Sequence, residues 1–225
     1  MVKKTILKIK SRTERLIKQN TMCFNIRINK DPEYIKGRFR ARFEPVDWFQ
    51  KQTTINGFTF PKTPVIAHNK PDVIQPFTWG LIPFWAKDNT IQQYTLNAKI
   101  ETLAEKPSFK NSINKRCLVI ADGFYEWQWL DPKGKKKQKY LITLPNDELF
   151  AFGGIWSEWV NKATGEILNT YTIVTTQANE LMSEIHNSKK RMPVILTPEN
   201  ESDWLKGADT KEFEKIKIEL IANPL

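Results

Sequence analysis

Residues 21–28 read TMCFNIRI, which sets Cys23 directly behind a methionine but well inside the chain. A thiol attacks carbon chiefly as its thiolate, and a lone cysteine is more often an inert buried apolar group. Cys117, the second cysteine, opens the apolar run CLVIA and reads as core. Histidine is the side-chain type that changes charge near neutral pH, which draws attention to His186 in EIHNSKKRMPVIL, although a surface histidine reads the same way. Glu126 lies in FYEWQW, where strand alternation puts Phe124, Glu126 and Gln128 on one face and Tyr125, Trp127 and Trp129 on the other. A carboxyl sharing a face with an aromatic ring is partly desolvated, which raises its pKa and suits it to accepting and returning a proton. An edge-strand glutamate facing water is the alternative. Asn97, with Glu101 in TLNAKIET, offers an amide to hold a substrate or orient a catalytic group; His68, in the turn-like IAHNKPD, is given no role.

These groups need elements to hold them. RCLVIADGFYEWQWL, KYLITL, ELFAFGGIWSEWV, TYTIVTT and MPVILT are β-branched and aromatic runs separated by turn signals such as Asp131-Pro-Lys-Gly and Pro145-Asn-Asp. Helical spacing is found after Asp31-Pro32, in ANELMSEIH, and in TKEFEKIKIELI, where Phe213, Ile216 and Leu220 form one stripe. Strands clustered in sequence with few helices predict an α+β fold of mainly antiparallel sheets, not alternating βαβ units.

The composition narrows the setting. The 225 residues contain no apolar run long enough for a membrane span, which requires about 18 residues or more. Two cysteines build neither a disulfide framework nor a structural zinc site, so a reducing cytoplasm, no metal and no cofactor are expected. Thirty-five Lys and Arg against 25 Asp and Glu leave a net charge of +10, which favours a polyanionic partner or reflects a solvated basic surface. Residues 1–21 form a basic N-terminal extension with seven Lys or Arg and one acid, Glu14, and no secretory apolar region. A leader, a DNA-contacting arm and an upstream start codon are three readings of it.

Four segments together resemble the SRAP family, named for SOS response-associated peptidases: Met22-Cys23, WGLIPFWAKD with LNAKIET, CLVIADGFYEW, and IHNSKKRMPVIL. The match spans most of residues 22–198, which makes 22–225 one SRAP-like domain with a barrel-like core and short flanking helices. The resemblance implies a protein that recognises abasic sites in single-stranded DNA, acting as a monomer, nucleoid-associated when bound to damage. Its exposed N-terminal cysteine closes a thiazolidine on the sugar aldehyde, with autopeptidase and lyase-like activity. By this resemblance Cys23 is the nucleophile, Asn97 positions the terminal residue or the sugar, Glu126 relays protons, and His186 assists opening of the deoxyribose ring. Trp85 and Trp127 would wall the site or stack on bases, while Lys99 and Arg191 would meet phosphates.

The sequence also departs from the family pattern. Phe24-Asn25 follows the cysteine where Gly-Arg is usual, and Lys99 replaces an arginine, keeping the charge but losing its fork. Four residues separate His186 from Arg191 where the family has about one. The chain ends at IANPL, which reads as a C-terminal truncation. Residues 1–22 would have to be removed before Cys23 could act. Two other readings stay open: a noncovalent single-strand-binding module, and a thiol peptidase built on Cys23, His186 and Asn97.

Overall fold

Turn residues cut the apolar runs into lengths that pair as strands. The computed structural model describes residues 23–45, 47–215 and 217–225. Its first strands are β1 (Asn25–Ile28), β2 (Arg42–Phe43), β3 (Gln52–Asn56), β4 (Lys62–Ala67), β5 (Val73–Trp79), β6 (Asn97–Lys99) and β7 (Arg116–Ala121). Then follow β8 (Gly123–Trp129), β9 (Lys137–Thr143), β10 (Phe150–Val160), β11 (Ile167–Gln177), β12 (Arg191–Pro193), β13 (Ile195–Leu196) and β14 (Ile221–Pro224). Helices α1 (Pro32–Phe39), α2 (Glu180–Ile185) and α3 (Glu201–Leu205) are short. Pro32 opens α1, where its missing N–H costs nothing, and Asn179 caps α2 by accepting from the Met182 amide at 2.9 Å.

Strands β11, β10, β7, β4 and β5 follow one another in one sheet, and β5 pairs back to β11 through Thr78↔Thr170 and Trp79↔Tyr171. The sheet is thereby closed into a barrel with no free edge at that seam. The rings of Trp79 and Tyr171 stack there, 6.2 Å between centroids. A second sheet, in the order β14-β9-β8-β1-β3, packs beside the barrel, with Phe124 of β8 meeting Phe152 of β10 edge to face at 5.7 Å. Helix α3 is pinned to the barrel by Trp204, whose indole N–H donates to Cys117 O at 3.1 Å and Gly154 O at 3.2 Å. Neighbouring Gly153 permits this approach, since a Cβ there would sit 3.0 Å from the Trp204 ring.

Most pairings are antiparallel, as expected, but β5–β11, β6–β11 and β2–β5 are parallel. The segment after Asp209 corrects another expectation. A 3₁₀ turn covers Thr210–Phe213 and irregular chain leads to β14, which pairs with β9, so no helix spans 210–221. Phe213 and Leu220 are buried as the stripe required, while Ile216 lies outside the described residues. Of that segment only Ile221, a β-branched residue suited to a strand, enters β14, where it lies opposite Thr143 on the edge of β9. The basic extension 1–21 also lies outside the described residues. Among those that are described, no helix is long and apolar enough to cross a membrane.

Candidate functional site

The chain passes between the two sheets at Asp122, which separates β7 from β8 and is wholly buried. Its carboxylate accepts from Arg27 Nε at 2.7 Å and from the Asn29 amide at 2.8 Å, so β1 is fastened to this corner by charge-assisted bonds. The register Asn25↔Tyr125 and Ile26↔Phe124 then brings Cys23, two residues before β1, to the strand carrying Glu126. From the other side comes β6, lying parallel to β11 with Asn97 opposite Ile173. Asn97 Nδ2 donates to the carbonyl of Cys23 at 3.0 Å.

The electrostatics follow from burial. Cys23 is 2% exposed and Glu126 4%, with the Glu126 side chain on the same face as fully buried Phe124. Desolvation pushes the Glu126 carboxyl up to about 8, only partly opposed by the Trp127 amide, so it is mostly protonated at neutral pH. Burial also pushes the Cys23 thiol well above its usual range, and the nearby Glu126 charge pushes it further. Two oxygens in this pocket, Asn97 Oδ1 and Glu126 Oε1, are buried with no hydrogen-bond partner among the described residues. Unpaired buried acceptors are costly, and such atoms belong where a ligand or another proton donor will arrive.

His186 ends α2 and is 2% exposed, not a surface group. Its Nδ1 lies 2.7 Å from Arg191 O; a carbonyl only accepts, so Nδ1 carries the hydrogen and the ring orientation is set. The helix end is tied to β8 by Asn187, which accepts from Trp129 N at 3.0 Å and donates to Trp129 O at 2.9 Å. Gln128 adds a bond from Nε2 to Glu184 O at 3.2 Å.

The four expected DNA contacts are placed differently from one another. Trp85 is 46% exposed in the β5–β6 connection beside exposed Phe84, and Lys99 is exposed on β6. Trp127 is half-buried on β8, with Lys139 Nζ 5.9 Å from its ring centroid. Arg191 has its fork occupied: both terminal nitrogens meet the Glu101 carboxylate, and Nη2 also donates to Thr175 O at 2.7 Å. Burial alone would raise Glu101, but the Arg191 bonds hold it below the ordinary carboxylate range. Arg191 therefore joins β12 to the turn after β6, and a phosphate would have to compete with Glu101 for it.

Tyr171 is a further buried group that the sequence did not single out. It shares a 2.6 Å hydrogen bond with Thr63 Oγ1, and burial drives its phenol well above the usual range, with Cys117 and Cys23 nearby. A cleft of about 650 Å³ lies elsewhere, between the end of β11, β12–β13 and residues 213–215 and 217–219. Met192, Val194, Phe213 and Ile218 give it a largely apolar lining, with Lys215 and Lys217 beside them and no cysteine, histidine or Glu126.

Comparison with known proteins bears on the same residues. The sequence profile of the family described as SOS response associated peptidase (SRAP) matches residues 22–223. The chain is 52% identical over 133 residues to the abasic site processing protein YoqW of Bacillus subtilis, covering 59% of this chain and 57% of that protein. It is 34% identical over 176 residues to the abasic site processing protein HMCES of Gallus gallus, covering 68% of this chain and 51% of HMCES. The chain thus spans little more than half the length of these relatives. A crystal structure of a protein from Bacteroides thetaiotaomicron superposes with a TM-score of 0.82 at 34% identity, covering 90% of this chain and 92% of that one. Another, from Bordetella bronchiseptica, gives 0.73 at 25% identity, covering 90% and 99%. Since the profile begins at Met22 and runs through β14, taking in Cys23, Asn97, Glu126 and His186 in one continuous match, the chain belongs to the SOS response associated peptidase family.

Proposed function

We infer that this chain captures abasic sites in single-stranded DNA through Cys23, once residues 1–22 have been removed and Cys23 is the N-terminus. The observation that carries the reading is the meeting, in one buried pocket, of Cys23, an amide holding its carbonyl and a carboxyl kept neutral at pH 7. An N-terminal cysteine has two nucleophiles on adjacent carbons. Its amine, with a pKa near ~8, is partly unprotonated at neutral pH, unlike lysine. The nitrogen attacks the C1′ aldehyde, the resulting carbinolamine loses water as Glu126 donates a proton, and an imine forms. The thiol then adds to the imine carbon: a C–S bond forms, C=N becomes C–N, and the sulfur proton passes to nitrogen, with Glu126 as relay. Asn97 Oδ1, without a partner among the described residues, would accept from the terminal amine. His186, its Nδ1–H held on Arg191 O, would act through Nε2, taking up a proton there and donating it to the ring oxygen as the deoxyribose opens.

Trp85, Trp127 and Lys99 would line the path of the strand, with Arg191 reaching a phosphate only by sharing its fork with Glu101. Under this reading the protein acts as a monomer in the cytoplasm, joins the nucleoid when DNA is damaged, and has lyase-like and autopeptidase activity beside Cys23. The names of YoqW and HMCES support the substrate class. A peptide-bonded nitrogen is a planar amide whose lone pair is delocalised, so uncut protein should be unable to form the imine.

The test uses residues 1–225, the chain beginning at Cys23, and that shorter chain carrying Cys23→Ala. Each is incubated with abasic single-stranded DNA and run on a denaturing gel, with intact mass recorded. A heat-stable adduct is expected only from protein whose first residue is Cys23. An adduct formed equally fast by uncut full-length chain would refute the thiazolidine chemistry.

A further inference from the structure

Residues 130–139, joining β8 to β9, read LDPKGKKKQK and hold five lysines against one aspartate. The acid does not neutralise them. Asp131 is turned onto the backbone, accepting from the amides of Lys136 and of Lys133, the latter at 2.9 Å, and these bonds hold its carboxyl below the usual range. Gly134 N to Asp131 O at 3.0 Å and Leu130 N to Lys136 O at 2.9 Å close the tip. Gly134 has φ +61°, and a Cβ there would lie 2.6 Å from the Trp129 ring, so the turn is folded down on that indole. Lys133, Lys135, Lys136 and Lys137 are exposed, and no ion pair among the described residues involves any of them.

Across from the tip runs the insertion between His186 and Arg191, with Lys189 and Lys190 exposed. The Asn187 clamp on Trp129 holds the two segments together. Between them lies a groove of about 480 Å³, lined by Trp129, Leu130, Asp131, Pro132, Asn187 and Ser188. Ser188 Oγ is buried there without a partner among the described residues, and Leu130 is 59% exposed at its rim. Trp129 is three residues beyond Glu126 on β8, or about 10 Å along the strand at roughly 3.3 Å per residue.

We propose that the β8–β9 tip and the 187–190 loop form an arm that grips the phosphates of the nucleic-acid strand flanking the reactive pocket. Uncompensated lysines crowded on a turn held in shape repel one another until a polyanion arrives. Lysine is a point charge without the arginine fork, so the grip is indifferent to sequence. An acidic peptide would meet the same charges, but the arm lies about 10 Å along β8 from Glu126, where a strand entering the pocket would pass, and exposed Leu130 at the groove rim offers an apolar contact to a base. The inference rests on the abasic-site reading, since the gripped strand is the one whose damaged nucleotide enters the Cys23 pocket.

The experiment uses the full chain and Lys133→Gln/Lys135→Gln/Lys136→Gln, with Lys162→Gln/Lys206→Gln/Lys211→Gln as a control of equal charge on other elements. Binding to undamaged single strands of about 6 and about 20 nucleotides, bracketing common single-strand site sizes, is followed by anisotropy across a salt series. Each phosphate neutralised contributes about 0.7 to the log–log salt slope, so the first variant should lose about 2 in slope and about a hundredfold in affinity at ~0.1 M salt on the long strand. On the short strand it should lose little, and the control variant should lose little on either. Equal losses in the two variants, or none in the first, would overturn the arm and leave the abasic-site reading standing. Wild-type chain that binds neither strand would overturn both.

Discussion

Glu126→Gln should stabilise the fold while removing a catalytic proton. The carboxyl is displaced from an ordinary 4.5 to about 8 by burial, so between those values the unfolded chain loses a proton that the folded chain keeps. The unfolded state therefore binds fewer protons, and stability falls as pH rises through that window. At about 1.4 kcal/mol per pH unit the wild-type penalty reaches about 3 kcal/mol at pH 7 and about 5 kcal/mol above pH 8. A glutamine is neutral at every pH and nearly isosteric, so it carries none of this dependence. Near pH 4.5 the two proteins should be equally stable. At pH 7 the variant should melt about 6–12 °C higher, taking 2–4 °C per kcal/mol for a domain of this size.

The assay is urea or thermal unfolding of both proteins from pH 4.5 to 9, beside single-turnover cross-linking of the mature form. Cross-linking should slow by about a hundredfold to ten-thousandfold, the usual contribution of a positioned acid or base. A difference in stability that stays flat across that range would show that Glu126 is not held neutral by its surroundings, and the proton-relay argument would fall with it. A group that costs stability and speeds chemistry is the signature of a functional site.

Three other outcomes follow from the same geometry. Asn97→Ala removes the 3.0 Å bond to Cys23 O and should cost about 1 kcal/mol in urea unfolding while slowing imine formation, trapped by borohydride, more than DNA binding. Arg191→Ala leaves Glu101 and Thr175 O without the guanidinium and should cost about 1–2 kcal/mol near pH 7 after allowing for solvent screening. Because Arg191 lowers the Glu101 carboxyl, that deficit should shrink as pH falls through the acidic range, and a deficit independent of pH would mean packing rather than charge. Trp204→Ala empties a fully buried site between α3 and the barrel and should cost about 3–5 kcal/mol, read as a lowered urea midpoint with the cross-linking rate of folded protein unchanged.

The parts legible in the sequence were those with a local period or a local turn. FYEWQW alternates, so Phe124 and Glu126 were expected on one face, and both are buried there. The turn residues around 131–134 and 145–147 marked the ends of β8, β9 and β10 correctly. What escaped was set by contacts between distant segments. The parallel closure of β5 on β11 joins residues that share no local pattern, and nothing near Arg191 reveals that its partner is Glu101. The helix expected over 210–221 had the right buried residues, Phe213 and Leu220, but only a 3₁₀ turn forms at Thr210–Phe213 and Ile221 joins β14 against β9. Cys23 was conspicuous from its Met-Cys pair, whereas its burial beside Glu126 needed β1 to be fastened at Asp122.

Under the proposed reading, the pocket's electrostatics favour an amine-led reaction over a thiol peptidase. A cysteine that attacks peptides needs its thiolate, and such sites lower the thiol's pKa with a cation or a helix N-terminus. Here the two larger influences on Cys23 run the other way, burial first and then the Glu126 carboxyl, against a smaller lowering by the bond to Asn25 O. His186 commits Nδ1 to Arg191 O, the bond that fixes its ring, and the Cys23 sulfur makes a long contact of 3.9 Å to Asn25 O. A neutral thiol is no handicap in the second step of ring closure. The imine carbon is already electrophilic, the sulfur attacks from within the same residue, and its proton has a nearby acceptor in the nitrogen it helps to saturate. The high effective concentration of an intramolecular thiol replaces the activation that a thiolate would supply. A pocket that suppresses both charges is therefore poorly suited to acyl transfer by Cys23 and well suited to an amine that attacks first.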